Sequence, residues 1–240
     1  MLIGVAGGVT TLISYIRRPE TYRDAVPARR QSAERHLLQD FAFHVTLLND
    51  AHLDDIDMCV NDFGVTSFKV YMNSRMPLSK HMRMDALPGQ MQNDVEAVDF
   101  DDGFFLRVFR ALELSPGTRL NVHCENSDIV IAEMRRVTET GRRGLKAWND
   151  ARPAIGEAVA IHTAATLSRA HGVPLYLPHI GNATALRAVT EARSLGTEIV
   201  AETCPHYLIL TMEAVEEAKV SPPDPSGVRP GGGARWARAG

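Results

Sequence analysis

Three polar side chains draw attention because each sits inside, or closes, a short apolar run. Lys69 lies within Ser67-Phe68-Lys69-Val70-Tyr71-Met72, His123 closes Leu120-Asn121-Val122-His123, and His179 follows Leu175-Tyr176-Leu177-Pro178. A lysine buried among apolar neighbours loses hydration, and its pKa falls toward the neutral amine. A neutral amine can add carbon dioxide to give a carbamate, an anion that a pair of divalent cations stabilises. The competing reading is a lysine at an exposed strand end, its ammonium reaching water along its own stem. Each histidine taken alone is a hydrogen-bonded structural residue; two at the same end of separate strands make a two-nitrogen metal site.

The other histidines add little. His44 lies in a strand, while His36, His52, His81, His162 and His171 occupy surface or helix positions; His206 follows a strand and is within reach of the site mouth, but a capping or packing role is the better reading. There is no His-x-His pair and no His-Glu-x-x-His, so the chain carries no self-sufficient zinc motif. A serine hydrolase lacks its Gly-x-Ser-x-Gly elbow. Cys124 adjoins His123, but neighbouring strand residues point to opposite faces, so the two are no nucleophile–base pair and Cys124 reads as a small core residue.

The elements that must hold these residues are six short runs rich in β-branched or aromatic residues: 9–16, 41–47, 67–72, 120–124, 173–178 and 198–203. Their nearly continuous apolar character suits strands buried on both faces of a parallel sheet. Helical patterns lie between them, at 101–112, 127–137, 157–170 and 182–195. Asn182 is placed to cap the last of these and Gly196 to stop it. Strand–helix alternation of this kind predicts an α/β fold. It leaves open whether the sheet closes into a barrel or stays open and doubly wound, although no Gly-x-Gly-x-x-Gly follows any strand.

Of the 240 residues, 45% are hydrophobic and 23% charged, with a formal net charge of −3. No basic stripe with interleaved aromatics points to nucleic acid, and no apolar segment reaches the roughly 18 residues that span a membrane. Three widely spaced cysteines (Cys59, Cys124, Cys204) read as reduced thiols of a cytoplasmic protein. Met1 to Gly8 lacks the charged lead of a signal peptide. Residues 221–240 hold four prolines and five glycines and are expected to be a disordered tail, after an incomplete barrel domain over 1–220.

A succession of short motifs resembles the hydantoinase/dihydropyrimidinase group of cyclic amidohydrolases. They are Gly7-Gly8-Val9-Thr10-Thr11, Gly64-Val65-Thr66-Ser67-Phe68-Lys69-Val70-Tyr71-Met72, Val122-His123-Cys124-Glu125-Asn126, Ala151-Arg152-Pro153 with Glu157, Pro178-His179, Ala201-Glu202-Thr203-Cys204-Pro205-His206-Tyr207-Leu208 and Lys219-Val220-Ser221-Pro222-Pro223. Allantoinases and dihydroorotases share several of them.

The resemblance implies a partial (β/α)8 TIM barrel with strands two to seven visible, and a binuclear centre, usually zinc. Lys69 matches the carboxylated lysine that bridges the metals, and His123 and His179 match the two histidines of the second metal. The implied reaction is hydrolysis of a C–N bond in a small cyclic amide or ureide, by a metal-bridging hydroxide, in a homo-oligomer.

The chain departs from the family in three places. The family's His-x-His pair precedes the Gly-Gly-Val-Thr-Thr stretch and its proton-shuttling aspartate follows the Ser-Pro-Pro stretch; neither has a counterpart here, and Asp224 has no strand context. Asn73 and Ser74 stand where hydantoinases often carry a tyrosine. These departures lead to the expectation of a truncated or frame-shifted product with two open sheet edges. They also keep a second reading open, a non-catalytic remnant or interaction protein on the same scaffold. A third, a plain α/β binding domain with incidental histidines, explains the composition but not the ordered motifs.

Overall fold

The computed structural model describes residues 6–75, 100–142 and 144–211. The expected tail, His81 and the Lys219–Pro223 motif lie outside the described residues. Six strands form one sheet: β1 (Thr11–Ile16), β2 (Asp40–Thr46), β3 (Ser67–Tyr71), β4 (Arg119–His123), β5 (Leu175–Leu177) and β6 (Ile199–Ala201). Every pair is parallel and the spatial order follows the chain order, β1 to β6. A doubly wound sheet reverses direction at a switch point. This one does not, so the topology is that of consecutive strands of a (β/α)8 barrel.

All six expected strands are present, most of them shorter than their apolar runs. The run at 173–178 contributes only Leu175–Leu177, because Pro174 and Pro178 have no N–H to give to a ladder. Four of the helices match the sequence patterns: α4 (Asp102–Glu113), α5 (Ser127–Glu139), α7 (Ala154–His171) and α8 (Ala183–Ser194). Four others escaped the pattern: α1 (Tyr22–His36), α2 (Asp50–Asp54), α3 (Ile56–Asn61) and α6 (Gly144–Asp150). In α1 the reasons are Pro27 in the helix interior and a charged composition that buries only Tyr22, Val26 and Ala33. The other three are too short for a 3.6-residue period to register.

Alternation along the strands divides the sheet into two chemically different faces. Phe43, Val45, Phe68, Val70, Leu120, Val122, Leu175, Leu177 and Ile199 are buried in one continuous core with Phe105, Phe109, Leu112, Ile161 and Val189 of the helices. The intervening positions carry Tyr15, His44, Thr46, Lys69, Tyr71, Asn121, His123 and Tyr176, so the face away from the helices is polar. Among the described residues the outer edges of β1 and β6 are unpaired, and β1 exposes Leu12, Ile13 and Tyr15. No helix among the described residues is long and apolar enough to cross a membrane.

Capping of α8 follows the sequence closely. The Asn182 side chain accepts from Ala185 N–H at 2.9 Å. At the other end Thr197 N–H reaches Ala192 O and Gly196 N–H reaches Arg193 O, both at 3.0 Å. Those two bonds are a Schellman closure, and Gly196 takes its φ of +90° without a Cβ penalty. Asn182→Ala is expected to cost about 1 kcal/mol of unfolding free energy, with the midpoint in urea falling and the slope unchanged.

Candidate metal and amine site

Lys69, in the middle of β3, is 1% exposed. Its Nζ donates to Asn121 Oδ1 at 2.7 Å and lies 4.7 Å from the ring centre of Tyr71 and 5.6 Å from that of Tyr15. Burial pulls its pKa down from 10.5 to about 7, leaving a substantial neutral fraction at physiological pH. Of the two readings of this lysine, the structure shows the buried one. Asn121 is itself fully buried and its amide is oriented by two neighbours, because Nδ2 points to Tyr15 Oη at 3.4 Å.

The two histidines meet at the C-terminal ends of adjacent strands. His123 Nδ1 stands 3.1 Å from His179 Nε2, although the residues are 56 positions apart. The far nitrogen of His123 faces Asn73 Nδ2 at 3.1 Å and Glu125 Oε2 at 3.4 Å. Asn73 also donates to Glu125 Oε2 at 2.8 Å, and Arg152 Nε lies 3.2 Å from Glu125 Oε1. Burial works to raise the Glu125 pKa, but hydrogen bonding and charge from His123, with help from Asn73 and Arg152, hold it below its ordinary value.

His179 adopts φ +50°, in the left-handed region that a non-glycine residue enters at a cost. The neighbouring backbone holds it there: Ile180 N–H bonds Glu202 O at 2.7 Å and the Thr203 hydroxyl bonds Ile180 O at 3.0 Å. Burial, with His123 and Lys69 nearby, lowers the His179 pKa to about 4, so its imidazole is neutral and able to offer a lone pair.

This donor set can be tested against a metal. Two nitrogens each about 2.0–2.1 Å from a tetrahedral zinc ion lie about 3.3 Å apart, close to the 3.1 Å between His123 Nδ1 and His179 Nε2. The pair therefore fits as two ligands of one ion. Among the described residues no group of three His, Cys, Asp or Glu side chains is arranged to hold a metal.

Glu157, in the first turn of α7, accepts from Asn182 Nδ2 at 2.6 Å and feels a pKa raised to about 7, mainly by burial. A carboxyl raised from 4.5 binds more protons folded than unfolded, so stability falls as pH rises from about 4.5 to 7. Glu157→Gln is expected to gain about 1–3 kcal/mol over the parent at pH 8 and nothing near pH 4, read from urea melts at the two pH values.

Two residues of this face were not singled out by the sequence as site residues: Thr46 and Asn121. Their sign was the period of two, which puts Asn121 and His123 on one side of β4, Lys69 and Tyr71 on the same side of β3, and Thr46 beside Lys69. His52, read as a surface or helix position, lies in α2 and is buried at 1% exposure, with Nδ1 accepting from Leu48 N–H at 3.0 Å and Nε2 3.0 Å from Glu20 O. Its role is structural.

No protein-family model matches the chain. It is 30% identical over 216 residues to the D-hydantoinase of Streptomyces coelicolor, covering 88% of this chain and 41% of that protein. Over 111 residues it is 39% identical to the allantoinase of Solibacter usitatus, covering 45% of this chain and 24% of the relative. The crystal structure of dihydropyrimidinase from Brevibacillus agri superposes with a TM-score of 0.71 at 27% identity, covering 89% of this chain and 42% of that one. The chain thus spans less than half the length of each of these three relatives.

Proposed function

Because the chain belongs to the hydantoinase/dihydropyrimidinase group of cyclic amidohydrolases, with allantoinases among its relatives, we propose that its polar sheet face is a metal site for hydrolysing the C–N bond of a cyclic amide or ureide. The observation that carries this reading is the approach of His123 Nδ1 and His179 Nε2 to 3.1 Å beside a buried lysine. Zinc, when bound, would polarise the substrate carbonyl and lower the pKa of water. His123 and His179 would hold it, and a carboxylated Lys69 would add an anionic oxygen. Glu125 would accept from the outer nitrogen of His123, with Asn73 and Arg152 anchoring the carboxylate. The rings of Tyr15 and Tyr71 flank the lysine amine.

The test is elemental analysis after loading with zinc and bicarbonate, paired with hydrolysis assays on hydantoin, dihydrouracil and allantoin. Bound zinc that disappears in the His123→Ala/His179→Ala double variant, with ring opening that disappears alongside it, supports the reading. Absence of zinc above background, or zinc indifferent to the double substitution, overturns it. The second reading, a non-catalytic protein on the same scaffold, draws support from the lack of a three-ligand cluster among the described residues. It predicts a folded chain with neither zinc nor turnover.

A further inference from the structure

Two neighbours of Lys69 have chemistry that the bare amine leaves half used. Thr46 and Lys69 are direct partners in the β2–β3 pairing, and Lys69 and Asn121 are direct partners in the β3–β4 pairing. All three therefore sit side by side on the polar face, at 0%, 1% and 0% exposure. Asn121 Oδ1 takes one N–H of the lysine at 2.7 Å. Thr46 Oγ1 is buried and has no hydrogen-bond partner. An orphaned hydroxyl in that position is destabilising, and native interiors rarely carry one without a reason.

We infer that Asn121 and Thr46 are positioning residues for carboxylation of Lys69: Asn121 holds the nitrogen through its N–H, and Thr46 donates to an oxygen of the carbamate. The inference rests on the carboxylated lysine of the proposed function and assigns it two partners. In the reaction the nitrogen lone pair attacks the carbon of CO2, an N–C bond forms, and one C=O π pair moves onto oxygen. One proton leaves the nitrogen for solvent, and the carbamate keeps a single N–H. That remaining N–H is the one Asn121 already accepts, so its hydrogen bond survives the reaction. The other N–H is the one lost, and the lone pair points away from Asn121. The carbamate brings two acceptor oxygens into a buried place where Thr46 supplies a spare donor, so one product satisfies the orphaned hydroxyl and the new anion together.

The experiment uses the full chain with zinc and 13C-bicarbonate and reads the carbamate carbon by NMR, with Lys69→Arg as the assignment control. The parent is expected to show a carbamate signal absent from Lys69→Arg. Thr46→Val, an isosteric change, is expected to lower occupancy at least about fivefold, while unfolding in CO2-free buffer shows it no less stable than the parent. Asn121→Leu is expected to lower occupancy about tenfold or more. Asn121→Asp keeps size and acceptor but pins the lysine as an ammonium without a lone pair, and is expected to fall as far.

A packing role alone predicts that the near-isosteric Thr46→Val and Asn121→Leu keep the parent's occupancy, and that result would sink the inference while leaving the carboxylated lysine in place. If the parent itself shows no carbamate, the Lys69 assignment of the proposed function fails and the inference falls with it.

Discussion

Lys69→Met is expected to raise the stability of the zinc-free, bicarbonate-free protein by about 2–4 kcal/mol near pH 7 and to lower it by about 1–3 kcal/mol above pH 10.5. The lysine pKa falls from 10.5 in the unfolded chain to about 7 in the fold. At about 1.4 kcal/mol per factor of ten, the buried amine costs ~5 kcal/mol wherever the unfolded chain is protonated and the folded one must follow. Between pH 7 and 10.5 the unfolded state binds the extra proton, so parental stability rises with pH across that window; above it the penalty is gone. Methionine fills nearly the same volume without charge, but it strands Asn121 Oδ1, which loses its 2.7 Å donor. That loss is the 1–3 kcal/mol subtracted at neutral pH and all that remains at high pH. Urea unfolding of parent and variant at several pH values shows whether the curves cross. Curves that stay parallel would mean Lys69 is hydrated in solution.

The second large effect concerns the histidine pair. His179→Ala is expected to weaken zinc binding more than about 100-fold, measured by competition with a chromogenic chelator, whereas Glu125→Gln weakens it about 10-fold. The difference in scale follows from position. His179 contributes one of the two nitrogens that converge at 3.1 Å, while Glu125 acts on the far side of His123, at 3.4 Å from Nε2, with Asn73 holding the carboxylate. A glutamine retains one carbonyl acceptor but no charge, so it still orients the ring and loses the electrostatic support of a carboxylate on an imidazole ligand. Equal zinc affinity in parent, His179→Ala and Glu125→Gln would place the metal elsewhere or nowhere.

Much of this architecture was legible in the amino-acid sequence because it is written in local periods. The six apolar runs announced six strands, the cap Asn182 stood at the start of α8, and Gly196 ended α8 through a positive φ. Lys69, His123 and His179 could be marked because an ionisable side chain within an apolar run has few places to go. α1 escaped because Pro27 and its charges mask a helix stabilised by tertiary contacts, such as Tyr22 Oη donating to Thr46 O.

Only the tertiary structure decided the rest. An open doubly wound sheet and a run of barrel strands share the same strand–helix alternation; the difference is the order in which strands pair, which no local period encodes. Nor does any local period bring His123 Nδ1 to His179 Nε2 across 56 residues, or Lys69 to Asn121 across 52. Parallel register does both, because each crossover returns the chain to the same end of the sheet and stacks inward positions of neighbouring strands beside one another. The depressed pKa of Lys69 and the unpartnered hydroxyl of Thr46 arise from that stacking, and so belong to the fold and not to either segment alone.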